Sequence, residues 1–269
     1  MWNLINAVVT HDIASLASVI AFYAFFSMFP LLLLVIYAMS VFFPPTSIDP
    51  FLVKLLGPYF PALPETKRII IENVANLSEV GAKVGLLSAL TLTWSATSGF
   101  IAVQQAMDVI WGTQQRSFLT RRLISFLMLV ILMLLTIGSA VVMTVSPSIQ
   151  QLFLSRGIDI HWITVIHSFS RVLFPLSLFF GFVVFYQFLP SRRSDWNYVI
   201  PGALVATLAL DLGRKLFVWY ASHLVRYQMI YGTLFAVMLL ILWMYIGSIL
   251  MLFGAEVSAV LEGTIKKSE

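Results

Sequence analysis

Residues 231–261 read YGTLFAVMLLILWMYIGSILMLFGAEVSAVL, with Glu256 the one charge among them. An α-helix needs ~20 apolar residues to cross the ~30 Å hydrocarbon core of a bilayer, and this run exceeds that. Residues 13–43, IASLASVIAFYAFFSMFPLLLLVIYAMSVFF, make the same case with no charge at all and with Pro30 inside. Further apolar runs cover 84–111, 123–145, 169–189 and 199–221. Within a bilayer every backbone N–H and C=O must be satisfied by protein, which leaves helices or closed barrels. Barrel strands would be ~10 residues long and alternating, unlike these continuous runs. The sequence therefore predicts an all-α polytopic membrane bundle of about six spans, in a single integral-membrane domain over residues 1–269.

Composition narrows the function. Apolar residues make up 60% of the chain and charged residues 10%, against roughly 25% charged in a soluble domain. Spans and short loops use nearly all of it and leave no room for a separate soluble catalytic domain. There is no cysteine, which excludes disulfides, thiolate nucleophiles and Cys-ligated metals. His11, His161, His167 and His223 form no His-x-x-x-His or Glu-x-x-His pair, so neither metal nor cofactor is expected. The net charge of +4 reads as loop charge that sets topology, not as a nucleic-acid surface. The first apolar segment is too long for a signal-peptide core and is expected to stay in the mature protein.

Lys and Arg positions set the orientation. The loop after the second span holds Arg116, Arg121 and Arg122, the loop after the fourth holds Arg192 and Arg193, and the tail holds Lys266 and Lys267. The opposite short loops hold mainly Arg156 and Arg226. Both termini are therefore expected on the cytoplasmic side. The outer loop, residues 44–83, is broken by Pro44-Pro45 and by Pro58 to Pro64. From Pro64 to Glu79, Ile70, Val74 and Leu77 recur at helical spacing opposite Glu65, Glu72, Asn76 and Glu79. That pattern predicts an amphipathic helix, either on the outer membrane face or packed as a cap over the bundle.

Ionisable residues inside spans cost roughly 2.5 kcal/mol or more unless paired or hydrated, so they are the candidate functional positions. Asp211, Arg214 and Lys215 fall in the fifth span; the four-residue spacing of Asp211 and Lys215 puts them on one face, able to pair. Arg171 starts the fourth span, Glu256 lies in the sixth, and Asp108 sits near the end of the second. Arg171, Arg214 and Lys215 would make a basic patch suited to phosphate or carboxylate groups, with Asp211 holding the cations and Glu256 as a second, inner acidic site. The structural alternative is an Asp211–Lys215 pair within one helix, a Glu256 hydrogen bond between helices, and Arg171 and Asp108 reaching to the interfaces. The second span is polar for a membrane helix. Thr93, Ser95, Thr97, Ser98 and Gln104 line either a wet path or close helix contacts. Pro175 and Pro201-Gly202 interrupt other spans. Phe22-Tyr23-Ala24-Phe25 and Phe185-Tyr186-Gln187-Phe188 hint at an internal repeat of two inverted halves. Gly81-x-x-x-Gly85 permits close approach of helices and leaves a homo-oligomer open.

Several motifs carry a family resemblance. Ala21-Phe22-Tyr23-Ala24-Phe25-Phe26-Ser27-Met28-Phe29-Pro30-Leu31, Trp94-Ser95-Ala96-Thr97-Ser98-Gly99 and Ala106-Met107-Asp108-Val109-Ile110-Trp111 resemble the first half of the YihY/BrkB family of bacterial inner-membrane proteins. Pro201-Gly202-Ala203, Tyr231-Gly232-Thr233-Leu234, Trp243-Met244-Tyr245 and Gly254-Ala255-Glu256-Val257 resemble its second half. The resemblance covers nearly the whole chain. It implies a multi-pass inner-membrane protein of about six spans and an envelope-related role, in lipid or lipopolysaccharide handling or solute export. Members were long labelled ribonuclease BN, but no catalytic residues come with that label. Metal-dependent RNA hydrolysis needs clustered carboxylates or histidines, which are dispersed here, and no Gly-x-Ser-x-Gly elbow is present. The expectation is a non-enzymatic transporter or lipid translocator for an anionic or amphipathic substrate. Its partners would be membrane lipids and an anionic lipid or solute. A non-transporting envelope scaffold is the alternative.

Overall fold

The computed structural model describes residues 2–42, 86–131, 133–134, 176, 178–192, 194–224 and 233–265. The loop at 44–83 with its amphipathic stretch, Gly81 and Gly85, Arg171, Pro175 and most of the third span lie outside the described residues. Among the described residues the chain is helical, without strands: α1 (Trp2–Thr10), α2 (Ile13–Phe42), α3 (Leu86–Ile110), α4 (118–131), α5 (Leu178–Phe188), α6 (Trp196–His223) and α7 (Thr233–Ile265).

Helix ends follow backbone chemistry more than hydropathy. Asp12 adopts φ 46° between α1 and α2, a left-handed conformation that Asp tolerates better than most residues, and turns the chain through a tight elbow. Gly112, at φ 58°, ends α3 as glycine commonly does just past a helix, while Thr113 N–H closes on Asp108 O at 2.9 Å. Pro30 and Pro201 sit inside continuous helices. Each lacks one donor, but the ladder on either side carries the helix through. α1 was not foreseen, and α4, α6 and α7 run past the apolar boundaries because hydrogen bonding does not stop where hydropathy falls.

α7 is the axis of the bundle and packs against α1, α2, α3 and α6. α6 runs antiparallel to it: Phe217 meets Trp243 at 5.1 Å between ring centroids, while Gly202 lies against Gly254 and Ser258. α2 and α3 are also antiparallel, with Ser27 against Gly99 and Leu34 clustered with Ala96. Ala17, Ala106, Ala203, Ala206 and Ala255 are buried where these helices meet, and such small side chains let backbones approach closely.

Two stretches, Ile13–Val35 and Leu234–Gly263, are long and apolar enough to cross a membrane, and only 24% and 22% of their apolar windows are buried. The core helix of a soluble protein would hide most of that surface. Phe22, Phe26 and Phe29 on α2, and Leu204, Leu208, Leu212 and Leu216 on α6, point outward instead. An apolar exterior of this extent is a lipid-facing one.

Candidate functional site

Among the described residues, the most concentrated polar chemistry lies at the bundle end that holds the α1–α2 elbow. The elbow places His11 Nδ1 2.5 Å from Glu256 Oε1 on α7. The Glu256 side chain is 1% exposed and His11 29% exposed. The second oxygen, Oε2, is buried with no hydrogen-bond partner. Gly254 and Ser258 face α6, so Glu256, two positions from each, points to the opposite side of α7.

Beside this pair, two loops are clasped together. Asp108 is buried at the end of α3, and its Oδ1 accepts the Ser191 N–H at 2.7 Å and the Thr113 hydroxyl at 3.1 Å. Asp108 lies at the bundle end, and its carboxylate turns inward because Ser191 and Thr113 supply donors there. Arg116 donates to the carbonyls of Leu189 and Pro190, which lack helical partners after α5 ends. Trp111 Nε1 donates to Ser194 Oγ, which donates to Glu262 Oε2, both at 2.7 Å. Arg192 adds an outer ion pair to Glu262 at 3.5 Å. The chain thereby ties the ends of α3, α5, α6 and α7 into one polar cap. Higher up, the buried Tyr186 hydroxyl donates to Met251 O at 2.5 Å.

The α6 charges form a separate group. Asp211 Oδ2 lies 2.7 Å from Lys215 Nζ, and Asp211 Oδ1 lies 3.2 Å from Arg214 Nη2. The i,i+4 and i,i+3 spacings close into ion pairs as helix geometry dictates. Lys215 is 65% exposed, beside the outward Leu212 and Leu216. Gly202 marks the level of Gly254, so Asp211 is roughly 13 Å further along the bundle. The structure therefore does not bring Lys215 and Glu256 into contact.

The polar residues of α3 divide. Thr93 donates to Ala89 O, Thr97 and Ser98 to Trp94 O, which satisfies each hydroxyl within its own helix. Ser95 is exposed. Gln104 bridges helices, donating to Ser125 Oγ at 3.4 Å on α4. The apparent repeat also divides: Tyr186 is fully buried, whereas Tyr23 is 43% exposed on α2.

Sequence reasoning missed His11, Arg116, Trp111 and Ser194 as site residues. Glu256, a lone acid in an apolar run, and Asp108, near the end of a span, were the signals of this site in the sequence. The partner of Glu256 lies 245 positions away, and a pattern along the chain does not reveal such a contact. Among the described residues no group of three or more His, Cys, Asp or Glu side chains is gathered.

The comparisons agree with this architecture. The family described as Virulence factor BrkB matches residues 4–269. The chain is 26% identical to the Putative ribonuclease-like protein YfkH of Bacillus subtilis, over 93% of this chain and 90% of that one. It is 30% identical to a UPF0761 membrane protein of Chromohalobacter salexigens, over 96% of this chain and 62% of that protein. A UPF0761 membrane protein of Pseudoalteromonas atlantica is 25% identical over 72% of this chain and 62% of its own length. The chain thus spans less than two thirds of those two UPF0761 proteins. No solved structure matches. An apolar helical bundle matched from end to end by one family has one reading: the chain is an integral membrane protein and belongs to the YihY/BrkB family.

Proposed function

We propose that this protein is a transporter or lipid translocator of the bacterial inner membrane, acting on an anionic or amphipathic substrate. The observation that carries the reading is the Asp211–Arg214–Lys215 group, midway along α6 and partly exposed among outward leucines. Charges facing hydrocarbon cost ~2.5–3.5 kcal/mol each, whereas a path for headgroups or solute would hydrate them. Two cations with one acid carry a net positive charge, which suits a phosphate or carboxylate. A topology of about six spans with both termini cytoplasmic fits the same reading. α1, the end of α7, the start of α4 with Arg121 and the loops bearing Arg116 and Arg192 share one end of the bundle, as an arginine-rich cytoplasmic side would. A ribonuclease role is disfavoured, since RNA hydrolysis calls for clustered metal-binding carboxylates.

The test is lipid movement in proteoliposomes carrying fluorescent anionic phospholipid, comparing wild type, Asp211→Asn and Lys215→Ala. Movement in the wild type that both variants lose, with insertion intact, is the expected result. No movement in correctly inserted wild type would overturn lipid translocation, and equal movement in all three would remove α6 from the path. An envelope scaffold is the reading that loss of all transport would leave.

A further inference from the structure

We propose that His11 and Glu256 form a proton-binding site, in which a proton enters from water at His11 and is held on the Glu256 carboxyl. This deepens the transport reading and rests on it in one respect, that the bound proton would be the coupling ion. Three independent features of the geometry support the site.

The first is the carboxyl itself. Glu256 is 1% exposed and its Oε2 has no hydrogen-bond partner. A permanent charge with an unsatisfied oxygen in that position is costly, and reversible protonation is how a buried carboxyl resolves it. The second is the access. His11 is 29% exposed at the bundle end and lies within hydrogen-bond distance of Oε1, so it reaches the surface and the carboxyl at once. Imidazole has two nitrogens, so it can take a proton on one and release a proton from the other. The third is the mounting. His11 precedes Asp12, whose φ of 46° forms the elbow between α1 and α2, so the site joins α7 to a joint in the chain rather than to a second rigid helix.

Other titratable groups at this end have partners of their own. Asp12 Oδ1 accepts the Ser15 N–H, and Asp108 accepts from Ser191 and Thr113. Tyr186 donates to Met251 O, Arg116 donates to Leu189 and Pro190, and Glu262 takes Ser194 and Arg192. α2 contributes no charged residue between Ile13 and Phe42, and Asp195 ahead of α6 is exposed.

The transfer balances simply. Neutral His11 donates Nδ1–H to the Glu256 carboxylate. Water delivers a proton to Nε2, giving an imidazolium. The Nδ1 proton then passes to Oε1, leaving a neutral carboxyl and the Nε2–H tautomer. The site has gained one proton and lost one negative charge, and the ion-assisted bond between elbow and α7 becomes a weaker neutral one. Proton binding thereby loosens the elbow from α7.

The experiment is an infrared titration of the full chain in lipid nanodiscs, from neutral to acidic pH. A protonated-carboxyl band should grow in the wild type, and Glu256→Gln, which preserves shape, should lose one component of it. His11→Gln should keep that component but move its midpoint, because the imidazole that bonds Oε1 and passes the proton to it is gone. Superimposable spectra for wild type and Glu256→Gln, or an unmoved midpoint in His11→Gln, would overturn the proposal. The two readings fail separately. A titrating Glu256 in a protein that moves no lipid sinks transport alone, and lipid movement with a silent Glu256 sinks the proton site alone.

Discussion

Substituting Gly254 by alanine adds one methyl group where α6 and α7 cross. The new Cβ would lie 2.6 Å from Ala206 Cβ, 2.7 Å from Gly202 O and 2.7 Å from Tyr186 Oη. Non-bonded heavy atoms prefer about 3.5–4.0 Å, so three neighbours would each have to withdraw by about 1 Å. Gly202 O and Ala206 Cβ are fixed to the α6 backbone and cannot swing aside. Tyr186 Oη is anchored at 2.5 Å to Met251 O, and displacing it breaks that bond. Overpacking costs ~1–3 kcal/mol and the lost hydrogen bond ~1 kcal/mol, while the helix preference of alanine over glycine offsets up to ~1 kcal/mol. The net is a destabilisation of about 2 kcal/mol. In a thermal melt of the purified protein in detergent this lowers the midpoint on the order of 5 °C. Gly263→Ala is the control, because nothing lies within 4 Å of its added Cβ, and it should hold the midpoint or raise it slightly. A Gly254→Ala protein that melts at or above wild type would refute the argument that this crossing is backbone-close.

Two further outcomes test the polar cap. Asp108→Ala should cost ~1.5–3 kcal/mol, because it removes a charged acceptor from the Ser191 N–H. Asp108→Asn keeps an acceptor and should lose less, with hydrogen exchange at Ser191 ranking the two. Ser194→Ala leaves partly buried Trp111 Nε1 without its acceptor and removes the buried donor to Glu262, and should cost ~1–3 kcal/mol, whereas Arg192→Ala removes an ion pair whose arginine is 55% exposed and should cost under ~1 kcal/mol. Equal melting of these two variants would contradict the ranking.

The class of protein was legible along the chain because hydrocarbon imposes a length and a composition on whatever crosses it. Residues 13–43 and 231–261 met that demand, and α2 and α7 occupy those stretches within a few residues. The Asp211–Lys215 pair was legible for a similar reason: one helix carries both partners, and its pitch alone sets their distance. Contacts between helices are not written in this way. Glu256 faces His11 because an elbow at Asp12 folds the N-terminus back onto α7, and a backbone turn at one residue leaves no periodic trace. The inward turn of Asp108 depends on a loop 83 positions later supplying the Ser191 N–H. The sequence by itself determined that the chain lives in a membrane and which charges share a helix face. Only the tertiary structure decided which of those charges meet a partner from elsewhere, because burial and hydrogen bonding are properties of where helices cross, and the crossing points are chosen by packing across the whole bundle.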